Sequence, residues 1–208
     1  MARQLERHSL RKRESMGTTT AGNKLIILDR DGVLNPVDEG GVVKSADAWQ
    51  PIVGSMDAVA LLTQAGYTVV VAANQSGLGR GLLSMQDVND IHSKMHQQVQ
   101  KAGGRIDGIW FCPHTAADGC DCRKPLPGMV SDILSRFNAE AADTWLVGDS
   151  LRDLQAIAAV GGKPALVLTG KGKKTLVAEG DSLPENTQVF DSLLAFSQYL
   201  LQNHAEAI

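Results

Sequence analysis

The chain predicts a doubly wound α/β fold, a parallel sheet with helices on both faces, and two patterns predict it. Six short apolar runs read as strands, at 25–28, 68–72, 108–111, 144–147, 165–168 and 188–190. Several are continuous in Val, Ile and Leu, which suits strands buried on both faces of a parallel sheet. Between them, helical patterns occupy 56–64, 85–102, 127–137, 151–160 and 193–202. Strand–helix alternation of this kind builds such a layered sheet. The Gly-rich stretches 77–81 and 170–172 read as loops too short to link domains, and Lys171-Gly172-Lys173-Lys174 as a solvated loop.

At 208 residues the chain is expected to form one domain over 24–203, with a disordered leader at 1–23 and a tail at 204–208. A net charge of −3 and 4% aromatic residues argue against a nucleic-acid partner. No apolar run approaches the ~18 residues of a membrane span. Residues 1–15 carry five basic and two acidic residues with no apolar stretch behind them, so they do not read as a signal peptide. The expectation is a cytoplasmic protein with reduced thiols, and a monomer is favoured.

In a sheet of this kind ligands bind beyond the carboxyl ends of the strands, and polar residues stand there. The first run ends in Asp29-Arg30-Asp31-Gly32. Residues two apart on an extended chain share a face, so Asp29 and Asp31 can enter one site. One carboxylate can attack phosphorus while the other moves a proton. A calcium loop is excluded, because its Gly belongs five residues after the first Asp and Gly32 comes three after Asp29. The fourth run ends in Gly148-Asp149-Ser150-Leu151-Arg152-Asp153. Neighbouring strands lie about 4.8 Å apart, so Asp149 and a carboxylate of the first strand can share one Mg²⁺. Ser150 reads as a helix cap, and Asp153 as either cap or outer support of the metal. His92 and His96 have helical spacing, but Ser93 stands where a zinc peptidase needs Glu.

All three cysteines fall in Cys112-Pro113-His114-(x5)-Cys120-Asp121-Cys122. With His114 they make a Cys₃His set suited to tetrahedral Zn²⁺, and four protein ligands make such a site structural. Arg123 and Lys124 follow directly, so a zinc-clamped loop would fix two cations beside the site. Lys124 is placed to meet a phosphoryl group and Arg123 to grip a second oxyanion.

Together these motifs resemble the haloacid dehalogenase superfamily of phosphohydrolases over roughly 24–170. The resemblance implies Asp29 as nucleophile, Asp31 as acid/base, and Mg²⁺ held by Asp29, the carbonyl of Asp31 and Asp149, with Lys124 as the superfamily's site lysine. One departure stands out: Ala73 occupies the place of a Thr or Ser that donates to the phosphoryl group. The zinc loop narrows the resemblance to two families. Asn74-Gln75-Ser76-Gly77-Leu78-Gly79-Arg80-Gly81 is similar to a segment of the D-glycero-D-manno-heptose 1,7-bisphosphate 7-phosphatase family, and 124–129 follows its pattern too. The histidinol-phosphate phosphatase family carries a similar Cys/His loop. The implied activity is removal of the 7-phosphate from the heptose bisphosphate, for heptose and lipopolysaccharide precursor synthesis. Asn74, Gln75 and Ser76 would bind this phosphosugar, while Arg80, Arg123 and Lys44 would meet the phosphate that stays. The alternatives are a histidinol-phosphate phosphatase and a phospholigand-binding protein with weakened catalysis.

Overall fold

The computed structural model describes residues 24–36 and 42–205, the last two by backbone alone. The expected leader, 1–23, and residues 206–208 of the expected tail lie outside the described residues. Six strands, β1 (Leu25–Leu28), β2 (Thr68–Asn74), β3 (Gly108–Cys112), β4 (Trp145–Gly148), β5 (Lys163–Val167) and β6 (Gln188–Phe190), form one sheet in the order β3-β2-β1-β4-β5-β6. Every adjacent pair is parallel. The helices are α1 (Ser55–Gln64), α2 (Ser76–Gly79), α3 (Met85–Lys101), α4 (Gly128–Phe137), α5 (Leu151–Ala158), α6 (Gly172–Glu179) and α7 (Leu193–Ala205). Among the described residues, no helix is long and apolar enough to cross a membrane.

The continuous apolar runs have the physical cause expected of them. Along β1, Leu25 and Ile27 pack on one face with Met129, Val130 and Ile133 of α4 and Ile157 of α5. Ile26 and Leu28 pack on the other face with Val59 and Leu62 of α1, Ile91 and Met95 of α3, and Phe196 of α7. All four β1 side chains are fully buried, so no position on the strand is left for a polar residue until Asp29. Strand order reverses at β1, with β2 on one side and β4 on the other, and this switch point opens the crevice in which the site lies.

Two helices correct the sequence expectation. The glycine-rich stretch after β2 contains the single turn α2, and the expected solvated loop at 171–174 leads into α6. Helix α6 buries only Gly172 and Thr175 and leaves Val177 88% exposed, so its apolar residues follow no helical period. It is placed by close approach: a Cβ on Gly172 would lie 1.7 Å from the Val167 carbonyl oxygen.

Phe196 is the aromatic keystone of the α7 side. Its ring is fully buried and meets Trp145 at 5.6 Å and 72° and Phe190 at 5.3 Å and 79°, both edge-to-face. Phe196→Ala is therefore expected to lower unfolding free energy by about 3–5 kcal/mol, read from the denaturation midpoint at unchanged slope.

Candidate active site

At the carboxyl end of β1 the chain leaves the sheet in a tight turn. The Arg30 carbonyl accepts from Leu34 N at 2.9 Å and Asn35 N at 3.3 Å, and Gly32 N donates to Asn35 O at 2.7 Å. Gly32 takes φ 92°, a left-handed conformation that glycine adopts without steric cost. A Cβ there would also lie 1.9 Å from Asp149 Oδ2, and one on Gly170 would lie 2.3 Å from the same oxygen. Two segments thus converge on the Asp149 carboxylate. The Lys171 N–H donates to it at 2.8 Å, and Thr175 Oγ1 donates to the Asp149 carbonyl at 2.8 Å. Helix α6, missed in the sequence, is therefore the back wall of the site.

Asp29, Asp149 and Asp153 each offer an oxygen within 4.8 Å of the others. Lys124, 1% exposed, is set among them. Its ammonium donates to Asp29 Oδ1 at 2.9 Å and to the Ala72 carbonyl at 2.6 Å, and pairs with Asp153 Oδ1. All three lysine donors are taken inside the protein, so Lys124 offers a phosphoryl group its charge rather than a free N–H. Burial would lower the lysine's pKa, but the charges of Asp153 and then Asp29 hold it above the ordinary value. Burial pushes Asp29 up to about 8; Lys124 opposes this, and the Asp153 and Asp149 charges reinforce it. Asp149 rises to about 6, first from burial and then from Asp153. Three carboxylates against one ammonium leave negative charge uncompensated, and the donor set of hard oxygens fits Mg²⁺.

Asp153 caps a helix, as one of its two sequence readings has it, and also reaches into the charged cluster. Oδ2 closes the N-terminal cap of α5, accepting from Ser150 N and Ser150 Oγ, while Oδ1 meets Lys124. Ser150 is the cap residue it was expected to be.

Asp31 shares the cleft but not the cluster. Arg30, fully buried, forks onto it: Nε donates to Oδ1 at 3.0 Å and Nη2 to Oδ2 at 2.9 Å. Asn35 Nδ2 adds a bond to Oδ1 at 3.0 Å and Gln75 Nε2 one to Oδ2 at 3.1 Å. Arg30 and Asn35 were not singled out in the sequence. Flanked by Asp29 and Asp31, Arg30 gives no sequence signal of its burial.

The Cys/His loop runs from the end of β3 to α4. Cys112, His114, Cys120 and Cys122 bring their ligand atoms within 4.8 Å of one another. Cys112 Sγ lies 3.5 Å from His114 Nδ1 and 3.6 Å from Cys120 Sγ, and Cys122 Sγ lies 3.4 Å from His114 Nδ1. Tetrahedral zinc, with bonds of about 2.1–2.3 Å, sets its ligands about 3.4–3.8 Å apart, so the residues fit the ion. Burial, then hydrogen bonding with Cys122, pushes the Cys112 thiol up to about 12. The loop reaches the site through Arg123, whose Nη1 donates to the His114 carbonyl at 3.0 Å, and through Lys124.

A cleft of about 170 Å³ is lined by Asp29, Asp31, Asn74, Ser76, Arg123, Lys124, Asp149, Ser150, Arg152, Asp153 and Lys171. Four expected substrate contacts are placed differently from the expectation. Asn74 faces the cleft, but its amide is committed to the Lys124 main chain: Nδ2 donates to Lys124 O at 2.9 Å and Oδ1 accepts from Lys124 N at 3.1 Å. Gln75 is buried behind Asp31 and supports it. Arg80 is exposed outside the cleft walls, with Nε turned back to the Ser76 carbonyl at 3.4 Å. Lys44 is likewise exposed and lines no part of the cleft. Ala73 is fully buried in the core with Val71, and the cleft's hydroxyl on this side belongs to Ser76. Arg152, not singled out in the sequence, and Lys171, expected in a solvated loop, add cations to the rim.

The comparisons with known proteins agree with this geometry. Residues 24–157 match the family described as polynucleotide kinase 3 phosphatase, and residues 121–196 the HAD-hydrolase-like family. The chain is 69% identical to a D-glycero-beta-D-manno-heptose-1,7-bisphosphate 7-phosphatase of Neisseria meningitidis, across 88% of this chain and 97% of that one. A solved D,D-heptose 1,7-bisphosphate phosphatase from B. bronchiseptica, complexed with magnesium and phosphate, is 53% identical and superposes with a TM-score of 0.83 over 86% of this chain and 99% of its own. Its counterpart from Burkholderia thailandensis is 50% identical, with a TM-score of 0.69 over 86% and 98%. With its aspartates, lysine and Cys/His loop in one crevice of a parallel sheet, the chain belongs to the D-glycero-β-D-manno-heptose 1,7-bisphosphate 7-phosphatase family, within the HAD-like hydrolases.

Proposed function

We propose that this chain removes the 7-phosphate of D-glycero-D-manno-heptose 1,7-bisphosphate through an aspartyl-phosphate, as a step toward heptose units of lipopolysaccharide. The observation that carries this is the Asp29–Lys124–Asp153–Asp149 cluster, with Asp31 beside it at the switch point of the sheet. The reading is of a cytoplasmic monomer whose partner is a small phosphosugar, with no nucleic acid or membrane involved.

Asp29 attacks phosphorus. An Asp29 oxygen–phosphorus bond forms as the bond to the sugar C7 oxygen breaks, and that oxygen takes a proton from Asp31. Asp31 then accepts a proton from water, whose oxygen displaces Asp29 and leaves as phosphate. Lys124 holds Asp29 in place by a 2.9 Å bond and keeps a fixed positive charge beside the reacting atoms. Asp29, Asp149 and the Asp31 carbonyl would hold Mg²⁺, which when bound supplies charge to offset the phosphoryl oxygens. Cys112, His114, Cys120 and Cys122 would hold Zn²⁺, which when bound would have a structural part, fixing the loop that delivers Arg123 and Lys124. Ser76 supplies the hydroxyl that Ala73 lacks. Arg123, Arg152 and Lys171 face the cleft and suit the phosphate that stays, whereas Arg80 stands too far round the surface.

Three outcomes test this. Asp29→Asn should bring phosphate release to background while far-UV circular dichroism stays unchanged, since an amide does not attack phosphorus; turnover at the native rate would remove Asp29 as nucleophile. Elemental analysis should find about one zinc per chain, lost in Cys120→Ser together with most activity in Mg²⁺. In steady-state phosphate release, kcat/KM for the heptose bisphosphate should exceed that for histidinol phosphate by at least ~10²-fold, about 2.7 kcal/mol, because the rim cations repel histidinol's ammonium. Arg152→Ala should narrow that ratio, and equal rates on both substrates would favour the histidinol reading.

A further inference from the structure

The polar network behind Asp31 is a buried cluster that the mechanism above does not use. Arg30 has no exposed surface, and its only ion-pair partner among the described residues is Asp31, its neighbour in sequence. Its Nη1 finds no hydrogen-bond partner among the described protein groups, nor does the buried Nε2 of His92. A wholly buried guanidinium with an orphaned N–H adds little to stability, and an apolar side chain of similar volume would fill the space without the desolvation cost. A pair between adjacent residues also ties no distant elements together. What the guanidinium uniquely supplies is geometry: a planar fork that meets both oxygens of one carboxylate, at 3.0 and 2.9 Å.

The fork is itself anchored across the crevice. Arg30 Nη2 also donates to Gln75 Oε1 at 3.1 Å, while Gln75 Nε2 returns a bond to Asp31 Oδ2 at 3.1 Å. The Gln75 main-chain N donates to the Cys112 carbonyl at 2.7 Å, so the end of β3 holds the backbone from which this side chain springs. On the other side Asn35 bonds Asp31 Oδ1, and Trp49 Nε1 donates to Asn35 Oδ1 at 2.9 Å. Each oxygen of Asp31 therefore accepts two hydrogen bonds, and the carboxylate has no freedom to turn.

We propose that Arg30 is a positioning residue for proton transfer, its buried fork fixing the plane of the Asp31 carboxylate toward the reacting oxygen. This rests on the reading of Asp31 as acid/base. When a proton is exchanged, one amide, Gln75 or Asn35, turns aside, because the two prongs of the arginine move only together. The fork then keeps the carboxylate in register through both halves of the reaction: proton to the departing sugar oxygen, then proton from the attacking water.

Two substrates separate this part from a structural one. A sugar oxygen needs a proton to leave, whereas p-nitrophenolate leaves as an anion, and hydrolysis of the aspartyl-phosphate needs Asp31 in both cases. Arg30→Lys keeps the charge but loses the fork. Its kcat on the heptose bisphosphate should fall ~10²-fold with KM changed less than about threefold, at the low end of what general acid–base catalysis contributes. With p-nitrophenyl phosphate it should release a burst of about one nitrophenolate per chain, then turn over slowly. A kcat near the native value, a fall without a burst, or a KM rising in step with the loss would each overturn the positioning part. Asp31→Asn, run in parallel, should show the same burst. If Asp31→Asn turned over like the native enzyme, the acid/base reading itself would fall, whatever Arg30→Lys did. Should Arg30→Lys fail to fold, Gln75→Leu removes one donor to Asp31 and one acceptor from Arg30 while keeping both charges and the fork between them. It is then expected to give the same burst with a smaller fall in kcat, and native kinetics in folded Gln75→Leu would overturn the proposal.

Discussion

Lys124 is the group on which the crevice depends. It is buried with three donors and three acceptors, and each acceptor belongs to a different part of the chain: the Asp29 carboxylate at the end of β1, the Ala72 carbonyl within β2, and the Asp153 carboxylate in the first turn of α5. Removing one member of such a group leaves the others charged and desolvated, which is why buried ionic clusters are costly to break even where they contribute little net stability. The geometry of catalysis and the closure of the sheet's mouth are thus one interaction seen from two sides.

The lysine is in turn held by a loop with little apolar surface of its own. Asn74 bonds both main-chain groups of Lys124, extending the order of β2 into a segment outside the sheet, and Arg123 reaches back to the His114 carbonyl. Cys112, His114, Cys120 and Cys122 would do from one end, with Zn²⁺ bound, what Asn74 does from the other. The segment around Lys124 is thus held by the polar contacts of Asn74 and Arg123, beside the packing of Cys112, Cys120 and Cys122 on the core under α4.

Much of this was legible in the chain. Continuous apolar runs mark strands covered on both faces, and the polar residues that interrupt them mark the carboxyl ends, so Asp29, Asp31, Asp149 and the Cys/His loop stood out. What was illegible had a different physical origin. Helix α6 is seated by glycine packing and by Thr175, which leave no apolar period. Asn74 and Gln75 sit where substrate contacts belong, but their amides serve Lys124 and Asp31, and a sequence does not tell a ligand's donor from a neighbour's. Arg80 stands in a segment that matches its family, yet one turn of helix carries it to the outer surface. Arg30 escaped notice because a charged residue between two aspartates reads as solvated until its complete burial is seen.

Gly32 and Gly170 carry a consequence for how this sequence can drift. Neither has a side chain, yet both are pressed against the same Asp149 oxygen, from loops far apart in the chain, and both take positive φ. Any residue gaining a Cβ at either place would strike the carboxylate and strain its own backbone. Shrinking residue 149 would relieve the clash at Gly32 at the cost of a metal-ligand candidate, but a Cβ on Gly170 would still lie 2.5 Å from the Gly32 Cα. The three positions therefore form a lock in which no single step is free: room at Gly32 comes only with loss of the Asp149 carboxylate, and Gly170 is pinned by backbone as well.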